Sequence, residues 1–148
     1  MVKATARERS AGAVILRRTP EGPVFLLLEY GPGGHWDFVK GKVEPGETEE
    51  QTVHRETAEE TGIADLRLRK GFRESILYYY RRPNGVTARK TVTYFIGETG
   101  TERVVISDEH SKFVWLPLEK ALEKVTFDNA RRVLKAAAKE LGLIQPGR

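Results

Sequence analysis

The stretch 41–63, GKVEPGETEEQTVHRETAEETGI, has a glycine-containing loop in its first half and the pattern of a helix in its second half. Thr48 can accept a hydrogen bond at the helix N-terminus, and Gln51, three residues later, completes a capping box. Gly62 is the kind of residue at which helices end, because glycine adopts the left-handed conformation without strain. The sequence therefore predicts a helix between Thr48 and Gly62.

Three glutamates of this helix, Glu56, Glu59 and Glu60, are spaced i, i+3 and i+4. At roughly 100° per residue they fall within an arc of about 100°, so their carboxylates project from one side. Clustered carboxylate oxygens suit a hard cation such as Mg²⁺ or Mn²⁺, whereas zinc prefers histidine or cysteine. The pattern indicates a metal site. The alternative is a solvated acidic face, because glutamate-rich helices usually bind no ion.

The loop before the helix favours the metal site. Gly41, Pro45 and Gly46 can bring backbone carbonyl groups close to the helix. Glu47 is placed where it could reach Arg55 on the helix.

As a unit, the stretch resembles the Nudix box, which reads glycine, five residues, glutamate, seven residues, Arg-Glu-x-x-Glu-Glu-x-Gly and an aliphatic residue. Every fixed glycine and polar position of that motif is met, by Gly41, Glu47, Arg55, Glu56, Glu59, Glu60 and Gly62. Ile63 closes the motif. Thr57 is the one departure, since the family usually has an aliphatic residue there, and it concerns packing beneath the helix.

This resemblance implies hydrolysis of a phosphoanhydride by water, with a divalent metal that neutralises phosphate charge and activates the water. It implies a metal site, Mg²⁺ or Mn²⁺, at Glu56, Glu59, Glu60 and the backbone carbonyl of Gly41. It also implies that Arg55 pairs with Glu47 and orients the helix. The general base varies within the family and stays unassigned.

Three segments, GHWDFVKGKVEPGE (34–47), KTVTYF (90–95) and ISDEHSKFVWLPLEKA (106–121), resemble the diadenosine tetraphosphate hydrolase branch of this family. The resemblance implies that His35, Lys40 and Lys90 hold the polyphosphate and that Glu109 is an additional acid at the metals. It also implies that adenine stacks on Phe113 and on a tyrosine of the strand before a hairpin.

Three consecutive tyrosines compete for that second stacking role. Tyr78 and Tyr80 share one face of a strand and Tyr79 faces the other, because side chains alternate. We favour Tyr78. Lys90, Phe113 and Glu109 each have an ordinary alternative, as an exposed lysine, a core residue and a loop acid.

Two departures from the branch lie beside the box. Val39 replaces the usual proline before Lys40, which loosens the loop because proline would fix φ. Lys42 replaces the histidine common after Gly41 and adds positive charge near the expected metal site.

The 148 residues are enough for a single domain over 1–148, with residues 1–10 expected to be a mobile lead-in. The chain has no cysteine, no apolar run of membrane-spanning length and no signal-peptide pattern, so we expect a cytoplasmic protein. A net charge of +4 fits a polyanionic nucleotide substrate. We expect no membrane partner and no stable nucleic-acid complex, because the basic residues of 67–73 alternate with apolar ones.

Hydrophobic patterns predict strands over 11–18, 24–30, 66–82 and 86–97, a strand and short helix over 113–124, and a final helix over 129–142. The first two strands are expected to form an antiparallel hairpin, and Asn84-Gly85 predicts a second one. The final helix is expected to be capped near Thr126. The result is an α/β sandwich with a central mixed sheet, which agrees with the Nudix-type fold.

The leading hypothesis for function is asymmetric cleavage of diadenosine tetraphosphate to ATP and AMP. Alternatives are hydrolysis of nucleoside triphosphates, capped RNA ends or inositol pyrophosphates. A module that senses a nucleotide without cleaving it is a further alternative, and the intact glutamates argue against it.

Overall fold

A computed structural model describes residues 5–144. Within them, eight strands form one mixed sheet: β1 (Ala6–Thr19), β2 (Gly22–Tyr30), β3 (His35–Asp37), β4 (Val39–Lys42), β5 (Arg67–Leu68), β6 (Glu74–Arg81), β7 (Thr87–Glu98) and β8 (His110–Pro117). The three helices are α1 (Glu49–Thr61), α2 (Leu118–Lys124) and α3 (Asp128–Glu140). The predicted α/β fold with a mixed sheet is confirmed. Across the described residues, no helix combines the length and hydropathy needed to cross a bilayer.

Strand β1 organises the sheet. It pairs antiparallel with β2 and β4 and parallel with β7, while β3 and β8 pair with β2, and β5 and β6 pair with β7. The predicted antiparallel hairpin between the first two strands is confirmed. Because β4 pairs with β1 and leads into the loop before α1, that loop is anchored at the centre of the sheet.

The expectation of a mobile lead-in over residues 1–10 is wrong for residues 6–10. These residues belong to β1 and pair with β7 from Ala6, opposite Ala88, to Ser10, opposite Val92. Ser10 also pairs with Lys42 of β4. A polar segment belongs to the sheet here because its backbone pairs with β7 along its whole length and with β4 from Ser10 onward. Residues 1–4 lie outside the described residues.

The predicted long strand over 66–82 is wrong. It is divided into β5 and β6 by a turn at Gly71, whose φ is +86°. A residue with a side chain rarely adopts this backbone conformation, so the chain bends where glycine allows it. The second hairpin is confirmed, with Gly85 at φ +82° and β6 antiparallel to β7.

Two hydrophobic clusters lie on opposite faces of the sheet, as the alternation along β2 requires. Phe25 and Leu27 belong to the cluster beneath α2 and α3, and Leu26 and Leu28 to the cluster beneath α1. Trp36 packs partly buried against the first cluster. The molecule is therefore an α/β/α sandwich.

Helix α3 begins one residue later than a Thr126 cap would require. Phe127 occupies the N-cap position and makes no side-chain capping bond, so the predicted cap is wrong. The Thr126 hydroxyl instead accepts a hydrogen bond from the Trp36 N–H at 2.8 Å, and the Thr126 N–H donates to the Trp36 carbonyl at 3.2 Å. These bonds hold β3 beside the start of α3, which brings Phe127 close to His35.

Candidate active site

Helix α1 is bounded as its sequence predicts. Thr48 and Gln51 form the capping box, with the Gln51 N–H 3.1 Å from the Thr48 hydroxyl and the Thr48 N–H 2.8 Å from the Gln51 side chain. Gly62 ends the helix at φ +76°. Thr57 is buried beneath the helix, and its hydroxyl has no hydrogen-bond partner among the residues described. The departure from the motif thus leaves a polar group unsatisfied in the core.

Arg55 joins the loop to the helix. Its guanidinium contacts Glu47 through Nε at 2.6 Å and Nη2 at 3.0 Å, and Nη2 also donates to the Lys42 carbonyl at 2.9 Å. Nη1 donates to Glu56 at 2.8 Å and contacts Glu59 at 3.3 Å. The Arg55 hydrogen bonds are the main reason that the pKa of Glu47 falls to about 2. Glu47 is therefore ionised and anchors the arginine against the carboxylates.

The carboxyl group of Glu56 lies against the backbone of Gly41. A Cβ atom on Gly41 would lie 2.5 Å from Glu56 Cγ and closer still to the carboxyl carbon, whereas real Cβ contacts stay beyond 3.0 Å. Glycine is needed at residue 41 for space and not for backbone conformation. Its φ lies outside the left-handed region, but any added Cβ atom would displace the Glu56 side chain. The glycine and the glutamate of the motif are thus in direct contact.

Glu60 is buried and paired with a histidine that the sequence analysis did not assign. Glu60 Oε1 lies 2.6 Å from Nε2 of His110, and its second oxygen has no hydrogen-bond partner within residues 5–144. Glu109 is exposed beside them, and the potential ligand atoms of Glu60, Glu109 and His110 all lie within 4.8 Å of one another. The position of His110, next to the predicted acid Glu109, was the signal that could have identified it.

Glu56 and Glu60 share a site with little positive charge. Burial, and after it the negative charge of Glu60, raise the pKa of Glu56 to about 7, while Arg55 opposes that rise. Glu59 differs from both, because its side chain is 58% exposed and only Arg55 among the described residues pairs with it. Arg55 therefore pairs with half-buried Glu56, whereas no lysine or arginine of residues 5–144 pairs with buried Glu60.

This arrangement fits a divalent metal. The unpartnered oxygen of buried Glu60 and the close contact between Glu56 and Gly41 supply oxygen donors where a cation would relieve repulsion. Residues that could hold the ion are Glu56, Glu60, Glu109 and the carbonyl of Gly41. Glu59 lies at the outer side of this group.

A cavity of about 830 Å³ opens beside Gly41, with the volume of a small-ligand pocket. Residues of β1, β2, β3, β4, β6, β7 and the start of α3 line it. Five predicted site residues lie in its wall: His35, Lys40, Gly41, Tyr78 and Lys90. The fold thus brings the predicted phosphate-binding residues together next to the carboxylates.

Tyr30 supports the part of the cavity wall that holds the predicted phosphate-binding residues His35 and Lys40. Its ring stacks on His35 at 4.7 Å with an interplanar angle of 4°, and meets the ring of His110 edge-on at 4.4 Å. Lys40 Nζ lies 2.9 Å from Asp37 and 5.6 Å from the Tyr30 ring. Burial lowers the pKa of His35, so its imidazole is mostly neutral at pH 7. Tyr30 therefore connects the cavity wall with the acidic site.

The sheet register determines which tyrosine faces the cavity. Tyr78 pairs with Lys90 across β6 and β7, and the lysine Nζ lies 5.9 Å from the tyrosine ring. Tyr79 points to the opposite face and is 59% exposed. Tyr80 shares the face of Tyr78, but its hydroxyl donates to Glu8. Tyr78 is thus the tyrosine of the three that lines the cavity.

Phe113 does not lie in this cavity. It pairs with Leu28 across β8 and β2, is 40% exposed, and lines a separate groove with Trp36 and Lys124. The aromatic ring at the cavity mouth is Phe127, 52% exposed and 5.1 Å from the His35 ring. Phe127 was not predicted from the sequence. The feature that could have identified it is its position as an aromatic residue directly before an amphipathic helix.

Comparison with known proteins agrees with this geometry. Residues 6–137 match the model of the NUDIX domain. The chain is 37% identical over 141 residues to the bis(5'-nucleosyl)-tetraphosphatase [asymmetrical] of Mus musculus, covering 86% of this chain and 90% of that protein. It is 31% identical over 140 residues to an 8-oxo-(d)GTP phosphatase of Mycolicibacterium smegmatis, covering 88% of this chain and 41% of that protein.

A solved structure of a C. elegans Ap4A hydrolase binary complex superposes with a TM-score of 0.80 at 30% identity, over 93% of this chain and 99% of that one. The family model covers most of the chain, and the motif residues meet around one acidic site in the fold. This chain therefore belongs to the NUDIX domain family and is a Nudix hydrolase.

Proposed function

We propose that this protein hydrolyses dinucleoside polyphosphates, and that its principal reaction is asymmetric cleavage of diadenosine tetraphosphate to ATP and AMP. The observation that carries the proposal is the meeting, at Gly41, of the acidic site of α1 and a cavity lined by lysines and aromatic rings. Relatives named for this activity are similar over most of their length, which supports the same substrate class.

We propose Mg²⁺ or Mn²⁺ as the metal, bound by Glu56, Glu60 and the Gly41 carbonyl, with Glu109 as a further ligand. The oxygen-rich donor set and the unpartnered Glu60 oxygen support this choice. When bound, such an ion supplies neutralisation of phosphate charge and activation of water. The role of Arg55 is to position Glu56 and the loop.

The polyphosphate would lie along Lys40, Lys90 and His35. The two lysines supply positive charge from different strands, so they can contact phosphates at different places in the chain. His35 would donate a neutral N–H, because burial lowers its pKa. Stacking on Tyr30 holds the imidazole in one orientation.

The base of one nucleoside would be held by Tyr78 and Phe127. These rings come from β6 and from the residue before α3, and both line the cavity. Stacking on aromatic faces grips a base with little discrimination between its edges. We assign this role to Phe127 in place of Phe113, because Phe113 lies in the other groove.

Asymmetric cleavage follows from holding one end of a symmetric molecule. A nucleoside fixed between Tyr78 and Phe127 places an off-centre anhydride, and not the central one, next to the acidic site. Positioning of this kind dominates phosphoryl transfer, because the protein contributes geometry and charge more than covalent chemistry. The second nucleoside can then vary, as it does in other dinucleoside polyphosphates.

Nucleoside triphosphate hydrolysis is the second candidate, because one nucleotide held by Tyr78 and Phe127 would use the same lysines and the same acidic site. A module that binds nucleotides without cleaving them is less well supported. Such a module would have no use for two neighbouring carboxylates, one of them buried, that repel each other.

Turnover of diadenosine tetraphosphate, nucleoside triphosphates and inositol pyrophosphates with Mg²⁺, with chromatographic identification of products, tests the proposal. We expect ATP and AMP in equal amounts, and ¹⁸O from labelled water in only one of them. Two molecules of ADP would refute asymmetric positioning. Faster turnover of a nucleoside triphosphate would favour the second candidate.

A further inference from the structure

The three strands β1, β6 and β7 have a second face, opposite the cavity. Residues directly across the strands share a face, so the register places Tyr79, Arg89 and Arg7 in one row. Leu77, Thr91 and Arg9 form the next row. Tyr78, Lys90 and Glu8 of the cavity lie between these rows and point the other way. We call this outer surface the arginine face.

The arginine face carries positive charge with little compensation. Arg81 of β6, opposite Thr87 and two residues after Tyr79, belongs to the same face. Arg7, Arg9 and Arg81 are exposed and Arg89 is half-buried. Among residues 5–144, Arg7, Arg81 and Arg89 make no ion pair, and Arg9 pairs with Glu49 at 3.8 Å.

The carboxylates near the arginine face are directed elsewhere. Glu49, at the start of α1, makes its closer ion pair with Arg73, outside the two rows. Glu8 faces the cavity side, where it binds Tyr80 and Arg82. No carboxylate of β1, β6 or β7 therefore projects among Arg7, Arg81 and Arg89.

An exposed aromatic ring lies in the middle of this charge. Tyr79 is 59% exposed, Leu77 beside it is also exposed, and both stand next to arginines of β7 and β1. Helix α1 covers this side of the sheet only as far as Glu49, which reaches Arg9 and Arg73. Most of the Tyr79 side chain is not covered by neighbouring side chains, so its ring is available to a ligand.

Arginines that flank an exposed ring complement phosphates that alternate with bases. Neighbouring strands are about 4.8 Å apart and same-face residues about 7 Å apart, so two rows across three strands cover a patch about 10 Å wide. A patch of this size matches two or three nucleotides of an extended single strand. An acidic protein would match the arginines but would not need the aromatic ring.

We propose that the arginine face binds single-stranded nucleic acid, with Arg7, Arg81 and Arg89 on backbone phosphates and Tyr79 stacked on a base. This inference departs from the expectation drawn from the sequence, which considered only the basic residues of 67–73. Arg7 lies 74 residues before Arg81 and 82 before Arg89 in the chain, and it meets them through the parallel pairing of β1 with β7.

Binding of a fluorescently labelled 12-nucleotide oligouridine to the full chain, measured by anisotropy between 50 and 200 mM salt, tests the proposal. Each phosphate contact contributes about 0.7 to the salt slope for single strands, so Arg7→Gln with Arg89→Gln should lower the slope by about 1.4. Tyr79→Ala should weaken binding by about 5-fold or more, the effect of losing one stacked base.

The matched control is Arg67→Gln with Lys70→Gln. These residues are exposed at the opposite end of β7, and the double variant removes the same net charge. We expect the control to keep the salt slope of the wild type. Hydrolysis by all variants should stay unchanged, because none of these side chains lines the cavity.

Equal slopes for the arginine variant and the control would overturn the proposal, as would absence of oligonucleotide binding at 50 mM salt. Equal affinity for heparin, with no effect of Tyr79→Ala on oligouridine, would overturn it in favour of an acidic polymer. If the arginine variant does not fold, Arg81→Gln at the exposed end of β6 replaces it, with an expected slope change of about 0.7.

Discussion

Gly41→Ala is expected to inactivate the enzyme by displacing one side chain. A methyl group at residue 41 would lie 2.5 Å from Glu56 Cγ, and ordinary contact begins at 3.4 Å, so Glu56 must move by about 0.9 Å. Its carboxyl group lies closer still to the added atom and must move further. A misplacement of about 1 Å in a positioned group can cost 10²-fold in rate. We therefore expect kcat to fall by about 10²-fold.

The same clash should also lower the stability of the folded protein. The displaced Glu56 side chain also loses its 2.8 Å hydrogen bond from Arg55, so Gly41→Ala should lower the free energy of unfolding by about 1–3 kcal/mol in urea titrations. In a Glu56→Ala background the clash is absent, and Gly41→Ala should there be neutral or stabilise by about 0.4–1 kcal/mol through the unfolded chain. The double-mutant cycle should thus give a coupling energy of about 1–3 kcal/mol between residues 41 and 56.

Gly100→Ala is the control, because a Cβ atom there would lie at an ordinary 3.5 Å from Asp65 and needs no left-handed backbone. It should keep wild-type turnover. Additive effects of Gly41→Ala and Glu56→Ala on stability would refute the reasoning. Wild-type kcat in Gly41→Ala would also refute it, since the carboxylate would then not need its present position.

Three further outcomes are expected. Glu60→Gln should lower kcat by about 10²-fold or more and reduce the rise in Tm that Mg²⁺ causes, because it removes a buried charge that a metal would need. Glu50→Gln, on the exposed side of α1, should change neither quantity. In isothermal titration, Phe127→Ala should raise the Kd of a non-hydrolysed dinucleotide analogue by about 5-fold or more, and Phe113→Ala should leave it unchanged. The reverse pattern would mean that the base binds in the groove lined by Phe113. Thr57→Val should raise the free energy of unfolding by about 1 kcal/mol in urea titrations, because it removes a buried hydroxyl without a hydrogen-bond partner. A destabilised variant would mean that the Thr57 hydroxyl does have a hydrogen-bond partner.

The sequence contains most of the local structure of the site. The capping box, the end of α1 at Gly62 and the pairing of Arg55 with Glu47 were predicted and are present. Each depends on residues within one loop and one helix, where spacing translates directly into geometry. The hairpins were predictable for the same reason, since turn residues and short-range alternation specify them.

From the sequence, alternation predicts which residues of a strand share a face, but not which of the two faces lies toward the cavity. Alternation separates Tyr79 from Tyr78 and Tyr80, but the pairing of β6 with β7 decides which side faces the cavity. Phe113 shows the same limit. Its role depended on the strand next to β8 and on what covers that face, and neither can be read from its own segment.

Contacts between distant segments were decided by tertiary structure alone. Glu60 meets His110 across 50 positions, Phe127 reaches His35 because Thr126 binds β3, and Arg7 joins Arg89 through a parallel pairing. No periodicity links such residues, because burial and backbone hydrogen bonding select the pairing from the whole chain. The sequence by itself determined the acidic helix and the loop that holds it. Only the fold decided what lies opposite them, since that depends on which distant strands become neighbours.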